Sequence, residues 1–436
     1  MPRKQPRLGW QVPLAEETFL SDDFVSQLTA VGEVDILVGL PTLNNRDTVQ
    51  RIVNAIIVGL VKYYPRERSV LINPDGGSKD GTSEAVQAAS IPDFRAVLAA
   101  NPLRTMHVVR AQYAGVRGHN EALRMLFAAA DLLGAKACAL FSPDLESVTP
   151  EWLDALVRPV LKDGHDLVAP VYQRRRFDGL LVKNMLHPLI RAAYGYQVEE
   201  PVGREVAFSG RLASYFLGDE SRREDFPGLG AYAWMTTAAM AGGYRVCQAY
   251  LGPRLAESRR SALDLNTAIQ EIGGALFRCM ELHQSYWISR QGCEEVPTFG
   301  FQPVLDLDPV RIDRRRMYQM FRTGVDQLGS ILEKILSSET LQAVAEISKA
   351  EERHFSFPDD LWAKTVFEFA SSYHHSAINR DHLLQALTPL YRGRVSSFIS
   401  ENARAGAEEV ERKLQLLAQE YERLKPYLVE RWNRET

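Results

Sequence analysis

Four short runs rich in aliphatic and β-branched residues, at 34–40 (VDILVGL), 69–73 (SVLIN), 106–111 (MHVVRA) and 137–142 (ACALFS), alternate with segments of helical periodicity. The intervening patterns predict helices from about Asp47 to Tyr64, from near Ser83 and from about Asn120 to Leu133. A further strand is expected at 166–172 (DLVAPVY), followed by a basic loop that runs from Gln173 to Gly179. Strands alternating with helices imply βαβ units and a mostly parallel sheet, so the fold class expected is α/β. Ligands of such sheets sit beyond the carboxyl ends of the strands. The polar turns TLNNRD, PDGGSKDG and PDLES after the first, second and fourth strands are therefore expected to gather at one edge.

From about residue 304 onward the character changes, with glycine scarce and helical periodicity dominant. A boundary is expected near 295–310, where Pro297, Gly300 and Pro303 cluster. The chain then divides into a lead-in (1–33), an α/β domain (34–300) and a helical region (301–436). Residues 407–425 (AEEVERKLQLLAQEYERLK) form a strongly amphipathic helix, with Pro426 as its expected stop. So long an apolar stripe needs cover, supplied by a homodimer or by the chain's own α/β domain. No internal repeat or low-complexity tract is seen.

Charge and cysteine usage narrow the partners. Lys and Arg number 51 against 55 Asp and Glu, a net charge of -4 with no long basic block, which argues against nucleic acid. Cys138, Cys247, Cys279 and Cys293 are widely spaced and form no CxxC pair, so neither zinc nor a disulfide framework is indicated and a cytoplasmic location is expected. The run IVNAIIVGLV at 52–61 is too short to span a bilayer and is closed by Arg51 and Lys62; a buried helix is expected there. The basic N-terminal residues precede no apolar run, so no signal peptide is expected. Phosphate-binding G-x-x-x-x-G-K-[ST], G-x-S-x-G and H-E-x-x-H motifs are all missing. His374 and His375 form an isolated pair in the helical region, expected to be structural or at the surface.

Four constellations have residue types suited to chemistry. Asp144 and Glu146 flank one residue just after a buried strand; in extended backbone they point the same way and can share a divalent cation. The plain alternative is a solvated acidic turn that caps the next helix. In the Asp75-Gly76-Gly77-Ser78-Lys79-Asp80-Gly81-Thr82 turn, glycines allow close backbone approach and Asp75 can accept hydrogen bonds from a base or ribose. The alternative is an ordinary turn with Asp80 or Thr82 as helix cap. The loop Leu40-Pro41-Thr42-Leu43-Asn44-Asn45-Arg46-Asp47-Thr48 can line a nucleotide or simply lead into a helix. Arg174, Arg175 and Arg176 can grip an anionic acceptor or be a solvated charge run.

The order and spacing of these pieces, with Gly118-His119-Asn120-Glu121-Ala122-Leu123-Arg124 between them, resemble the nucleotide-sugar domain of GT-A glycosyltransferases. The likeness is to the retaining family 81, the glucosyl-3-phosphoglycerate and glucosylglycerate synthases. It continues through Phe177-Asp178-Gly179, His187-Pro188-Leu189, the segment from Pro201 to Gly210, Ala233-Trp234-Met235-Thr236-Thr237 and the segment from Val246 to Gly252. It covers roughly residues 34–290 and leaves the helical tail unmatched.

The resemblance implies that Pro41, Thr42 and Asn45 line the nucleotide and that Asp75 holds the base or ribose. It implies that Asp144 and Glu146 bind Mg²⁺ or Mn²⁺, and that Gly179 with the arginine loop faces the acceptor. Glu205 is a further candidate for acceptor contact and catalysis. Several positions depart from the family's pattern. Its acidic residue after the proline loop is Asn45 here. Its lysine falls on His119, with Arg117 close enough to supply the positive charge. Its second glycine of the P-x-G-G segment is Arg204. Its acidic residue before the Trp-Met region is Tyr232. Its third metal ligand, a histidine, falls on Ala256, where neighbouring Glu257 is the candidate replacement. The function implied is transfer of a hexose from a nucleotide-diphosphate sugar, UDP- or GDP-linked, to a small anionic acceptor such as glycerate or 3-phosphoglycerate, with retention. The alternative is a catalytically impaired nucleotide-sugar-binding or scaffolding subunit.

Overall fold

The computed structural model describes residues 20–89, 107–112, 119–218, 226, 228–255, 264–300 and 312–434. Its strands are β1 (Ile36–Gly39), β2 (Ser69–Asp75), β3 (His107–Gln112), β4 (Ala137–Leu140), β5 (Leu167–Gln173), β6 (Tyr196–Gln197), β7 (Val206–Ser209), β8 (Val246–Pro253), β9 (Glu294–Glu295) and β10 (Thr298–Phe299). Eight of them form one sheet in the order β10-β8-β5-β7-β4-β1-β2-β3, and β6 pairs with β9 separately. Within the main sheet only β7 runs antiparallel, against both β4 and β5. β1 lies between β2 and β4 in parallel register, with Ile36 opposite Ser69 and Ala137.

Both faces of the sheet are covered, which explains why its strands read as continuous apolar runs. Successive side chains point to opposite faces. Ile36, Val38, Leu71, Ala137 and Ala139 therefore pack with the helices Arg46–Tyr63 and Pro150–Leu161. Leu37, Val70, Ile72, Cys138 and Leu140 pack instead with Asp22–Val31, His119–Leu132, Gly210–Gly218 and Gly230–Ala241. The 52–61 run lies inside Arg46–Tyr63, where Ile52, Val53, Ile56, Ile57 and Leu60 are buried. Among the described residues no helix is long and apolar enough to cross a membrane. The fold class expected, an α/β mostly parallel sheet followed by a helical region, is the one observed.

The C-terminal helices Arg314–Gln327, Gly329–Ile335, Ser338–Lys349, Asp359–His374, Arg380–Glu401 and Ala407–Asn433 share the second apolar cluster with the sheet. The expected stop at Pro426 is corrected: the last helix runs through it to Asn433. A proline inside a helix costs about 3 kcal/mol or more. Beyond it, however, Leu428 and Trp432 are buried against the chain, and that packing holds the final turns. The helix lies against His187–Tyr194 and Asp359–His374, so its apolar stripe is covered by the chain itself. The ring of His374 stacks on Trp432 with a centroid separation of 4.2 Å, and His375 faces the Arg431 carbonyl at 3.2 Å.

A buried polar knot ties the two halves together. The π-helical turn Val182–Leu186 carries Asn184, whose carbonyl accepts from Trp362 Nε1 at 2.7 Å. Asn184 Oδ1 accepts from Arg394 Nε at 3.2 Å. Arg394, itself 1% exposed, also donates to the Phe357 carbonyl at 2.7 Å and pairs with Asp359. Replacing it strands two buried acceptors, each worth about 1–3 kcal/mol when left unmade. Arg394→Met is therefore expected to lower unfolding stability by about 2–4 kcal/mol in urea titration, less than a full buried-charge loss because Asp359 reaches solvent. An unchanged midpoint would show that the knot contributes nothing net.

Candidate functional site

Because β4, β1 and β2 are parallel neighbours, their trailing loops meet at one edge. The first two loops are laced together. Thr42 bridges Asp75 in the parallel sense, and its hydroxyl donates to Asp75 Oδ1 at 2.8 Å. Asn73 Nδ2 donates to the Leu40 carbonyl at 2.7 Å and to Thr42 Oγ1 at 3.0 Å. Asn45, which is buried, accepts from the Leu43 N–H at 2.8 Å and donates its own N–H to Thr82 Oγ1 at 2.8 Å. Thr48 Oγ1 donates to the Pro143 carbonyl, which joins the third loop to the first. Pro41 is buried at the base of this edge.

Asp75 is 3% exposed, and its carboxylate is fully engaged within its own turn. Besides Thr42 it accepts from Ser78 Oγ at 2.6 Å, Ser78 N at 2.8 Å and Gly77 N at 3.2 Å. In this arrangement it shapes the loop, where sequence reading expected it to hold a base or ribose. Leu43 and Leu255 project at the same edge and are 49% and 51% exposed. Leu43 belongs to the first loop, whereas Leu255 is an apolar surface that no motif singled out.

The D-x-E geometry departs from expectation. The residues after β4 form a turn, so the strand rule that places both acids on one side does not apply. Asp144 turns inward and is buried, while Glu146 is exposed. Arg204 Nη2 contacts both Asp144 oxygens, at 3.0 and 2.7 Å, and Arg254 Nη2 lies 3.7 Å from Oδ1. Arg254 Nε donates to Glu205 Oε2 at 3.1 Å, and the Tyr172 hydroxyl donates to the same oxygen. Four segments meet here: the β4 loop, the loop before β7, the end of β8 and strand β5. Gly203 admits the close approach, since a Cβ there would lie 2.2 Å from Pro170 Cγ.

The electrostatics are those of a closed ion quartet. Burial works to raise the Asp144 pKa, but the Arg204 charge and hydrogen bonds, helped by Arg254, hold it below the usual carboxylate range. Burial likewise opposes ionisation of Glu205, and Arg254, Arg204 and Tyr172 override it. Burial and then Glu205 drive the Tyr172 hydroxyl well above its ordinary value, so it stays a donor. Glu205, read from sequence as an acceptor contact, is 0% exposed; its Oε2 is engaged by Arg254 and Tyr172, and its Oε1 is buried without a hydrogen-bond partner. Tyr232, at the position of the family's acidic residue, is buried, and its hydroxyl pKa is raised by burial.

The basic loop lines a cavity of about 570 Å³ whose other wall is the tail helix, including Glu411 and Arg412. Arg174 pairs with Glu200 at 2.8 Å and with Asp178 at 3.5 Å. Arg176 donates to the Ala405 carbonyl, and Arg175 is exposed. Gly179 adopts φ +67°, and a Cβ there would meet Arg174 Nε at 2.9 Å, so it backs Arg174. Lys183 and His187 also line the cavity. His187 Nδ1 faces the Val198 carbonyl at 2.7 Å, which fixes the proton on that nitrogen. The Tyr172 ring connects cavity and quartet, with the Arg174 and Arg254 guanidinium carbons 5.4 and 5.8 Å from its centroid. The tail's share in this cavity was invisible to motif reading.

Arg117 and Glu257, with Ala256, lie outside the described residues, as does the side chain of His119, which opens the helix His119–Leu132. Among the described residues no group of three or more His, Cys, Asp or Glu is placed to hold a metal ion. Of the expected pair for Mg²⁺ or Mn²⁺, Asp144 is buried against Arg204 and Glu146 is exposed.

No protein-family model and no curated protein sequence matches the chain. Solved structures with a similar course include glucosyl-3-phosphoglycerate synthase from Mycobacterium tuberculosis in complex with phosphoglyceric acid. It is 21% identical, covering 64% of this chain and 85% of that one, with a TM-score of 0.41. The same enzyme with Mn²⁺, UDP and glucosyl-3-phosphoglycerate is 21% identical over 63% and 86%, at 0.42. A mycobacterial protein is 24% identical over 62% and 81%, at 0.41. At these values the likeness concerns the fold alone.

The quartet makes a pH prediction. A carboxylate whose folded pKa is depressed adds stability at neutral pH that is lost as pH falls below about 4–5. Asp144→Asn is expected to lower stability at pH 7 by about 1–3 kcal/mol, the cost of weakening charged buried hydrogen bonds, and to flatten the acid limb. Urea titrations across a pH series test this. An acid limb identical to the parent's would mean that Asp144 is not stabilised by its arginines.

Proposed function

We propose that this chain is a glycosyltransferase that moves a hexose from a UDP- or GDP-linked sugar to a small anionic acceptor, such as glycerate or 3-phosphoglycerate, with retention. One arrangement carries the reading. Three laced polar loops border a partly buried guanidinium–carboxylate quartet, and a cavity lined by both arginines and glutamates adjoins it across Tyr172. The loops of residues 41–45 and 75–82 cradle the nucleotide, with Leu43 and Leu255 as apolar surfaces beside it. The diphosphate lies toward Arg204 and Arg254. The acceptor enters the 570 Å³ cavity, its anionic group directed to Arg175 at the surface and Lys183 within.

In the reaction, the bond from sugar C1 to the β-phosphate oxygen breaks and its electron pair leaves on the diphosphate. A C1–O bond forms to the acceptor hydroxyl, whose proton passes to the departing phosphate. Guanidinium groups fixed before substrate arrives stabilise the growing charge without reorganising. The α/β portion, residues 34–300, supplies the donor side, and the helical portion, 301–436, walls the acceptor cavity. Its free cysteines fit a reducing, cytoplasmic setting.

A panel of UDP-glucose and GDP-mannose against glycerate and 3-phosphoglycerate tests the proposal by product formation. Arg175→Ala is expected to raise the acceptor KM about tenfold or more, the loss of one charge-assisted contact, and to leave nucleotide affinity unchanged. Nucleotide binding with no turnover on any acceptor would favour a binding or scaffolding subunit instead. That second reading has one observation behind it, the occupation of Asp144 by arginine.

A further inference from the structure

We infer that Arg204, backed by Arg254, takes the electrostatic place of a divalent cation at Asp144, so that a nucleoside diphosphate binds through guanidinium groups without a metal ion. The inference rests on the nucleotide-sugar reading and specifies how its diphosphate is held.

A hard divalent cation needs several oxygen ligands with open lone pairs. Both oxygens of Asp144 already face Arg204 Nη2, at 3.0 and 2.7 Å. The nearest acid in sequence, Glu146, is exposed while Asp144 is buried, and no three-ligand acidic or imidazole group occurs among the described residues. Charge points the same way. Asp144 and Glu205 against Arg204 and Arg254 sum to zero, so the two buried carboxylates are balanced without an added ion. A 2+ ion placed about 4 Å from a guanidinium meets repulsion on the order of several kcal/mol at an effective dielectric of 20. It enters only by expelling Arg204.

The arginines also have donors to offer. Arg254 Nη2 is buried without a hydrogen-bond acceptor. Arg204 is the more open of the two, its side chain 22% exposed against 16%. Asp144 grips it through Nη2 alone, which leaves Nε and Nη1 for a ligand. Nε–H and Nη1 lie on opposite edges of the guanidinium and each can donate singly to a phosphate oxygen, while pairing with Asp144 holds the plane in place before the ligand arrives. Asp144 is then a positioning residue for a cation rather than a metal ligand.

The test uses the full chain, with UDP and GDP as calorimetric probes, in EDTA and in millimolar MnCl₂. The affinity of whichever nucleotide binds is expected to agree within about twofold between the two buffers, while Mn²⁺ titration followed by electron paramagnetic resonance shows no ion bound to the nucleotide-free protein. Arg204→Ala is expected to weaken binding in EDTA about tenfold or more and to regain part of it with Mn²⁺, because Asp144 is freed. Arg204→Lys, which keeps a cation, guards against a folding defect and is expected to retain binding in EDTA better than the alanine variant. Nucleotide binding by the parent that appears only with Mn²⁺ overturns the inference and leaves the nucleotide-sugar reading standing. No binding of either nucleotide in either buffer defeats that reading itself.

Discussion

The meeting of Asp144 with Arg204 and Arg254 is the constraint around which this edge of the sheet is arranged. Each partner comes from a different segment, and each is costly to bury alone. Their proximity therefore fixes the β4 loop, the loop before β7 and the end of β8 relative to one another. Glu205 and Tyr172 extend the same logic to β5. The quartet is thus both a rigid support for the edge and a cluster of four opposed charges.

The first two loops reach rigidity by other means. Thr42, Asn73, Asp75 and Ser78 exchange short neutral and charged hydrogen bonds, so the turn is shaped before any ligand arrives. Asp75 satisfies its acceptors internally, and its carboxylate holds the backbone amides and hydroxyls of its turn and of Thr42 in place. The exposed leucines at the rim then become the accessible apolar surface beside this polar frame.

The helical portion belongs to the site rather than merely following it. Its last helix closes the cavity beside Arg174, Arg175 and Arg176, and Arg394 and Trp362 anchor the layer to Asn184. The Val182–Leu186 turn that presents Asn184 is π-helical, a local widening that often marks functional positions. Because the tail's stripe is spent on its own chain, it gives no reason to invoke a second copy.

Much of this was legible in the chain order. The aliphatic runs and their spacing were enough for a mostly parallel sheet, and the polar turns after β1, β2 and β4 were enough to bring those loops to one edge. Local pattern decides such things because strand pleat and helix period act over a few residues. What it could not decide was where charges end up. Asp144 and Glu146, two residues apart, part company between core and solvent; Arg204 reads as a broken glycine motif yet becomes Asp144's partner; Glu205 reads as an accessible acid and is sealed inside; Pro426 reads as a stop and is carried through by Leu428 and Trp432. Those outcomes depend on which distant segments share a buried volume, since desolvation and Coulomb terms are set by three-dimensional neighbours and not by neighbours along the chain.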